Sequence, residues 1–496
     1  MRAKIAAVHE QPNRWGYVAR VAGGVLLLIV AAGAIAAIAI ALGLGEREPL
    51  DLRFEGIAVE AKKAAKPKAD PFAYSRARRA EFERSAALGA SHVIYEMSPG
   101  GVVASARRTE QFRDRIGAAA AAHGIDAGTL EAIIFLESAG RPQVSAGPTP
   151  EAASGLGQIL PSTATDLLGM HVDLPASIAL TKRIRTTKSE AQAKRLLAAR
   201  ARVDERFDPA KAIEGAARYL EIANQRFGDE ELAVESYHMG IGNLEDVLRT
   251  FDPSPPRPLS YAQVYFESSP VRHRSAYELL RNFGDESSEY LWKVLASEQI
   301  LRRARDDPEG LRRTAHLANS KSTLEEVFHP LDETQVFEDA GDIEDAIREG
   351  DLVALPYRPA LGWIPSHQMG ELAPELDQDP DLYRTLRPEA LATLSYLAGI
   401  VKEISGADRP LHVNSGTRDQ DYQDLLIATN PEATQEYSLH TTGWTFDIAR
   451  KYHNDAQANA FQYALDHLRS LGLLDYAVEP AAIHVTVSNA GAKLIR

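Results

Sequence analysis

The chain has 496 residues, with 69 acidic against 55 basic side chains and a net charge of −14 with histidines neutral. That balance argues against a nucleic-acid partner, which selects basic patches. The absence of cysteine excludes disulfides, thiol chemistry and any zinc site built on thiolates, while the length allows two or three domains with substantial cores.

Residues 21–44 are uncharged and almost entirely Ala, Val, Ile, Leu and Gly, a run long enough to span a bilayer. Arg2, Lys4, Arg14 and Arg20 precede it, whereas Glu46, Arg47 and Glu48 follow. The positive-inside rule then makes residues 1–20 a cytoplasmic tail and 21–44 a transmembrane anchor in the cell membrane, with the rest of the chain extracytoplasmic. A cleaved signal peptide is the competing reading, and the length of the apolar run favours a retained anchor. Residues 45–105 read as a stalk, with an Ala/Lys/Pro stretch at 61–70 and a charged helix at 75–84 that has no core of its own.

Next comes a helix starting near Thr129, in which Leu130, Ile133, Ile134 and Glu137 fall at i, i+3, i+4 and i+7, so a carboxylate shares a stripe with apolar residues. Ionising a carboxyl there is costly, its pKa should rise, and a protonated carboxyl near neutrality is what a general acid needs. A lone Glu in that position reads as a partly solvated helix end. This one is followed by Gly155-Leu156-x-Gln158-Ile159-x-Pro161-Ser162-Thr163-Ala164, by Phe207-Asp208-Pro209 with Ile213-Glu214-Gly215-Ala216-Ala217-Arg218-Tyr219-Leu220, and by Ser236-Tyr237-His238-Met239-Gly240-Ile241-Gly242-Asn243.

Together with Glu137-Ser138, these motifs resemble the soluble-lytic-transglycosylase (SLT) family over about residues 106–310. The resemblance implies a mainly α, lysozyme-like domain without a cofactor that acts on peptidoglycan glycan strands and leaves a 1,6-anhydro product. It makes Glu137 the catalytic residue and puts Ser138, Gly155, Gln158, Tyr237 and Asn243 on the substrate. His238 stands where the family has Asn, and Gly157 where Met is common. Residues 171–205 read as a polar helical insertion, 253–258 as a loop, and 290–296 as a late helix of the same domain. A hydrolysing relative of the goose-type lysozymes is the alternative.

Residues 311–375 read as a connector, with a faint resemblance to a LysM wall-binding module in 323–327 and 343–356. From 376 to 496, helices at 388–405 and 460–471 alternate with strands. In 444–448, Trp444, Phe446 and Ile448 face one way and Asp447 the other; in 483–487, Ile483, Val485 and Val487 oppose His484. Gly443 suits a turn with positive φ that would bring His440 back towards Asp447. Two imidazoles and one carboxylate leave an open position on a tetrahedral metal, the arrangement of catalytic zinc, and His412 reads as a surface histidine.

The pattern Ser438-x-His440-x-x-Gly443-x-x-x-Asp447…His484, with Asn414-Ser415-Gly416-Thr417-Arg418…Gln423 upstream, looks like the D-alanyl-D-alanine carboxypeptidase family of zinc peptidases. The resemblance implies a small α+β domain with a short antiparallel sheet, zinc on His440, Asp447 and His484, and Arg418 on the carbonyl of a stem peptide. Glu479 is the candidate general base, although it lies five residues before His484 where the family has three. The alternative for this half is a degenerate, non-catalytic domain of the same fold, and for the whole protein a non-catalytic peptidoglycan-binding scaffold in which both domains grip glycan and stem peptide without cutting.

Overall fold

The computed structural model describes residues 70–284, 286–429 and 437–495. The tail and the expected membrane span at 21–44 lie outside them, and among the described residues no helix is long and apolar enough to cross a membrane. The protein is mainly helical, with a two-stranded and a five-stranded sheet towards the C-terminus.

The first described helix, α1 (Arg79–Gly89), corrects the stalk boundary. Among its charged residues, Phe82, Ala86 and Ala87 are buried, and Phe82 meets Phe266 edge-on at 5.0 Å. Two further short helices at His92–Met97 and Val102–Glu110 bury Ile94, Tyr95 and Val102 in the same core. Residues 70–105 are therefore part of the folded body.

Helix α2 (Ala127–Ser138) starts at Asp126, whose side chain accepts from the Thr129 amide, the usual way of satisfying an orphan N–H. Leu130, Ala132, Ile133, Ile134 and Phe135 are all buried, so the expected single apolar stripe is in fact a helix enclosed on all sides. Even Glu131 is buried, held by the Arg305 guanidinium at 3.0 Å.

The insertion forms α3 (Leu174–Thr186) and α4 (Glu190–Val203), capped by Asp173 and Ser189. It ends on a fully buried pair, Asp204 and Arg206, 2.8 Å apart. The Arg206 guanidinium also donates to the carbonyls of Pro150 (2.8 Å) and Ile159 (3.0 Å). Its role is to pin the loop between 150 and 159. Helices α5 (Pro209–Phe227) and α6 (Glu230–Met239) pack together, and α7 (Tyr290–Asp306) lies against both α2 and α6.

The expected connector is also corrected, because it is woven into the C-terminal half. It supplies α8 (Glu325–Phe328), strand β1 (Val353–Ala354) and strand β2 (Trp363–Pro365). Its Phe337, Ile343 and Leu352 share a core with Tyr383 and Tyr422, so no separate wall-binding module stands there. Strand β3 (Thr385–Leu386) pairs with β1. Then follow α9 (Pro388–Ser405), β4 (Leu411–Ser415), β5 (Thr445–Ala449), α10 (Asp455–Ser470), β6 (Leu474–Val478) and β7 (Ala482–Val487).

The main sheet has the order β2-β4-β5-β7-β6. Because β2 runs parallel to β4 and the other pairs are antiparallel, the sheet is mixed rather than antiparallel throughout. The two halves share one apolar core. Tyr277 meets Tyr463 edge-on at 5.4 Å, Phe266 approaches His467, and Lys493 pairs with Glu81 at 2.7 Å.

Candidate functional sites

Glu137 sits in the last turn of α2, where the enclosed helix reaches partly exposed ground. The helix stops abruptly: Ala139 and Gly140 both take positive φ, and a Cβ at Gly140 would lie 2.5 Å from the Thr109 nitrogen. That position requires glycine. The Tyr290 hydroxyl, at the start of α7, donates to Glu137 Oε1 at 2.6 Å. Burial pushes the Glu137 carboxyl up to about 7, and the Tyr290 hydrogen bond opposes that rise. A carboxyl poised there exchanges protons readily at neutral pH.

Tyr237 stacks on Tyr290 with ring centroids 6.2 Å apart and meets Tyr219 edge-on at 5.0 Å. Its hydroxyl donates to the Gly157 carbonyl at 2.7 Å. A Cβ at 157 would lie 2.8 Å from that hydroxyl, so a larger residue there requires the Tyr237 phenol to shift. His238 stacks on Tyr290 at 5.3 Å and its Nδ1 lies 2.9 Å from Ser287 Oγ. The residue in hydrogen-bond contact with the acid is thus Tyr290, which the sequence reading placed only in a late helix.

The other expected substrate residues are placed more variously. Ser138 is turned into the core, its hydroxyl donating to Ile134 O at 2.9 Å; a buried, committed hydroxyl is a poor substrate contact. Gly155 has φ +79°, and a Cβ there would sit 1.8 Å from the Arg206 carbonyl oxygen. The Gln158 amide donates to Gly155 O at 2.8 Å and Val144 O at 3.3 Å, so it ties its own loop. Asn243 is exposed and donates to Met239 O at 2.8 Å.

A second cluster forms where β5 lies beside β7. Their register sets Asp447 directly opposite His484, and the turn Leu439–Thr442, ended by Gly443 at φ +77°, delivers His440. Asp447 Oδ1 lies 3.2 Å from His440 Nε2 and 3.0 Å from His484 Nδ1. One ligand atom from each of the three residues lies within 4.8 Å of the others.

The orientation of both rings is fixed from outside. His440 Nδ1 lies 2.8 Å from Gly416 O, so it carries the proton and Nε2 turns its lone pair inward. His484 Nε2 lies 2.9 Å from Glu325 Oε2, leaving Nδ1 to face Asp447. Outer hydrogen-bond partners of this kind are what metal-bound histidines carry, and the donor set of two imidazoles and one carboxylate fits zinc.

The charges of the cluster pair with one another. Against burial, which favours neutral imidazole, Asp447 and Glu325 push His484 up to about 10. Burial and the Arg418 charge hold His440 below its ordinary range. Burial alone would raise Asp447, yet His440 and His484 keep it well below the usual carboxylate range.

Arg418 donates to Ser415 Oγ (2.7 Å) and Gln423 Oε1 (3.0 Å), and its Nη2 lies 3.7 Å from Asp447 Oδ2. Glu479 is exposed at the β6–β7 hairpin, and the partial desolvation that remains on its carboxyl, then the Asp447 charge, raise its pKa. His412 is exposed, as expected. In this cluster Glu325, like Tyr290 beside the acid, goes unmarked in the sequence, since nothing local signals a partner 159 positions away.

Residues 184–255 match the family model described as the transglycosylase SLT domain. The match spans the end of α3 to just beyond the helix Ile241–Phe251, and it includes Tyr219, Tyr237 and His238. Glu137 and Tyr290 lie outside it, as does the whole His440–Asp447–His484 cluster. No curated protein matches the chain. The similarity supports a peptidoglycan-cleaving enzyme of transglycosylase type.

Proposed function

We propose that the protein is a lytic transglycosylase of peptidoglycan, tethered to the cytoplasmic membrane by residues 21–44. The observation that carries this reading is the Glu137 carboxyl at the end of an enclosed helix, raised to about 7 by burial and held by Tyr290. Protonated Glu137 donates to the glycosidic oxygen between N-acetylmuramic acid and N-acetylglucosamine. The resulting carboxylate then takes the proton of the muramoyl C6 hydroxyl while that oxygen closes on C1. The bond to the leaving sugar breaks, the 1,6-anhydro ring forms, and the carboxyl is regenerated without water.

Hydrolysing glycosidases commonly need a second carboxylate to activate water or attack the sugar. Around Glu137 stand the phenols of Tyr290 and Tyr237, and what supports ring closure over hydrolysis is the similarity of residues 184–255 to the SLT domain. Product chemistry tests this: anhydro ends support the transglycosylase, and reducing ends mean a muramidase instead.

For the C-terminal half, the reading is a site for stem peptides at which His440, Asp447 and His484 would hold zinc. When bound, such an ion supplies Lewis-acid polarisation of an amide carbonyl and a more acidic water. Arg418, fixed by Ser415 and Gln423, orients the peptide carbonyl, and Glu479 on the rim is the candidate base. The five-residue offset of Glu479 from His484 favours the second reading, a domain that grips stem peptides without cutting them. Zinc in the purified protein that is lost in His440→Ala supports the metal site; metal-free wild type would end that proposal.

A further inference from the structure

The segment between the two halves places one acidic side chain where neither motif has a role for it. Glu325 opens α8 and is 3% exposed. Its Oε2 lies 2.9 Å from His484 Nε2, and it accepts from Thr486 Oγ1 at 3.4 Å. Its Oε1 accepts from Lys321 Nζ at 2.6 Å. The same ammonium donates to the carbonyl of Tyr437, three residues before His440. One Lys–Glu pair therefore braces both arms of the cluster, the strand bearing His484 and the turn bearing His440.

We propose that Glu325 is a positioning residue for the metal site: it fixes His484 in the Nε2–H form, so that the Nδ1 lone pair is aimed at the ion. The proposal rests on the reading of His440, Asp447 and His484 as zinc ligands. Its physical basis is the division of labour on an imidazole. A ring nitrogen bound to metal cannot carry a proton, so the other nitrogen must, and a buried N–H needs an acceptor. Glu325 is that acceptor, and Lys321 and Thr486 keep the carboxylate itself from being an unpaired buried charge.

A local function for the Lys321–Glu325 pair in stabilising α8 alone does not account for the second carboxylate oxygen. That oxygen is directed at His484 and Thr486 on β7, away from the lysine. The segment supplying Glu325 thus belongs to the site as well as to the fold.

The test uses the full chain in detergent and zinc alone as the probe, with affinity read by chelator competition and cobalt(II) absorption reporting coordination. Glu325→Ala should weaken zinc binding roughly 10- to 100-fold and perturb the cobalt spectrum. Glu325→Gln, which keeps an acceptor oxygen for Nε2–H, should recover most of that loss. Glu325→Asp, a methylene shorter, should not. If Glu325→Ala fails to fold, the contrast between Gln and Asp decides the matter. Affinities and spectra equal to wild type in Ala, or in both Gln and Asp, overturn the proposal, even where the melting temperature falls. Absence of zinc from wild type and His440→Ala alike would instead overturn the metal reading beneath it.

Discussion

The Tyr290 hydroxyl donates a 2.6 Å hydrogen bond to Oε1 of Glu137 across 153 residues of sequence. That one contact joins the first residue of α7 to the last turn of α2 and opposes the rise that burial gives the acid's pKa. Removing the hydroxyl in Tyr290→Phe deletes the group that favours the charged carboxylate. The Glu137 pKa should then rise by about one unit, the worth of a hydrogen bond to a charged group. In rates of glycan cleavage measured from pH 5 to 9, the high-pH limb should move upward from about 7. A limb that stays in place would mean that Tyr290 does not tune the acid.

Glu235, in α6, is fully buried and accepts the Leu291 amide at 2.9 Å, one residue past Tyr290. Burial pushes its carboxyl up to about 8. The folded state therefore holds a proton that the unfolded chain releases near 4.5. Stability from this group is complete below that value and is lost as pH rises towards 8. Glu235→Gln keeps an acceptor for the amide and cannot ionise. Its melting temperature should exceed that of wild type by a few degrees at pH 8.5, and the difference should shrink at pH 5. A pH-independent difference would assign the effect to packing instead.

Gly157→Ala should place its Cβ against the Tyr237 hydroxyl, 2.8 Å away in the unrelaxed backbone. The phenol must then leave the Gly157 carbonyl and disturb the stack on Tyr290. The expected outcome is a loss of cleavage of about tenfold or more, from misplacement near the acid, with little change in melting temperature. Full activity in this variant would remove Tyr237 from the site's working parts.

How much of this was legible in the chain follows from distance along it. Glu137, the glycine at 155 and the His440 turn are marked by local motifs; Glu137 lies in the last turn of α2, Gly155 in the loop that Arg206 pins, and His440 in the turn before β5. Tyr290 was not legible as a site residue, because the sequence around it spells an ordinary buried helix and its partner lies far upstream. The stalk was misread because Arg78, Arg79, Glu81 and Glu83 outweigh Phe82, Ala86 and Ala87 in any composition window. The three-residue β2 carries no periodicity of its own, and only pairing with β4 makes it a strand.

That misreading has a direct consequence for fragments. A piece starting at residue 376 lacks β2, the Phe337–Ile343–Leu352 core and Glu325, and it leaves Tyr463 and His467 of α10 uncovered. It should be unfolded or aggregated by circular dichroism and gel filtration, whereas a chain from residue 46 should melt cooperatively. A fragment 376–496 with a sharp melting transition would contradict the shared core.

The central claim, that Glu137 closes an anhydro ring on peptidoglycan, is tested most directly by digesting purified sacculi with residues 46–496 and with the Glu137→Gln variant, and reading the soluble fragments by mass spectrometry. The account predicts 1,6-anhydromuropeptides from wild type and a drop of roughly 10²-fold or more in the variant, with both proteins equally folded. Reducing-end products, or anhydro products undiminished in Glu137→Gln, would contradict it.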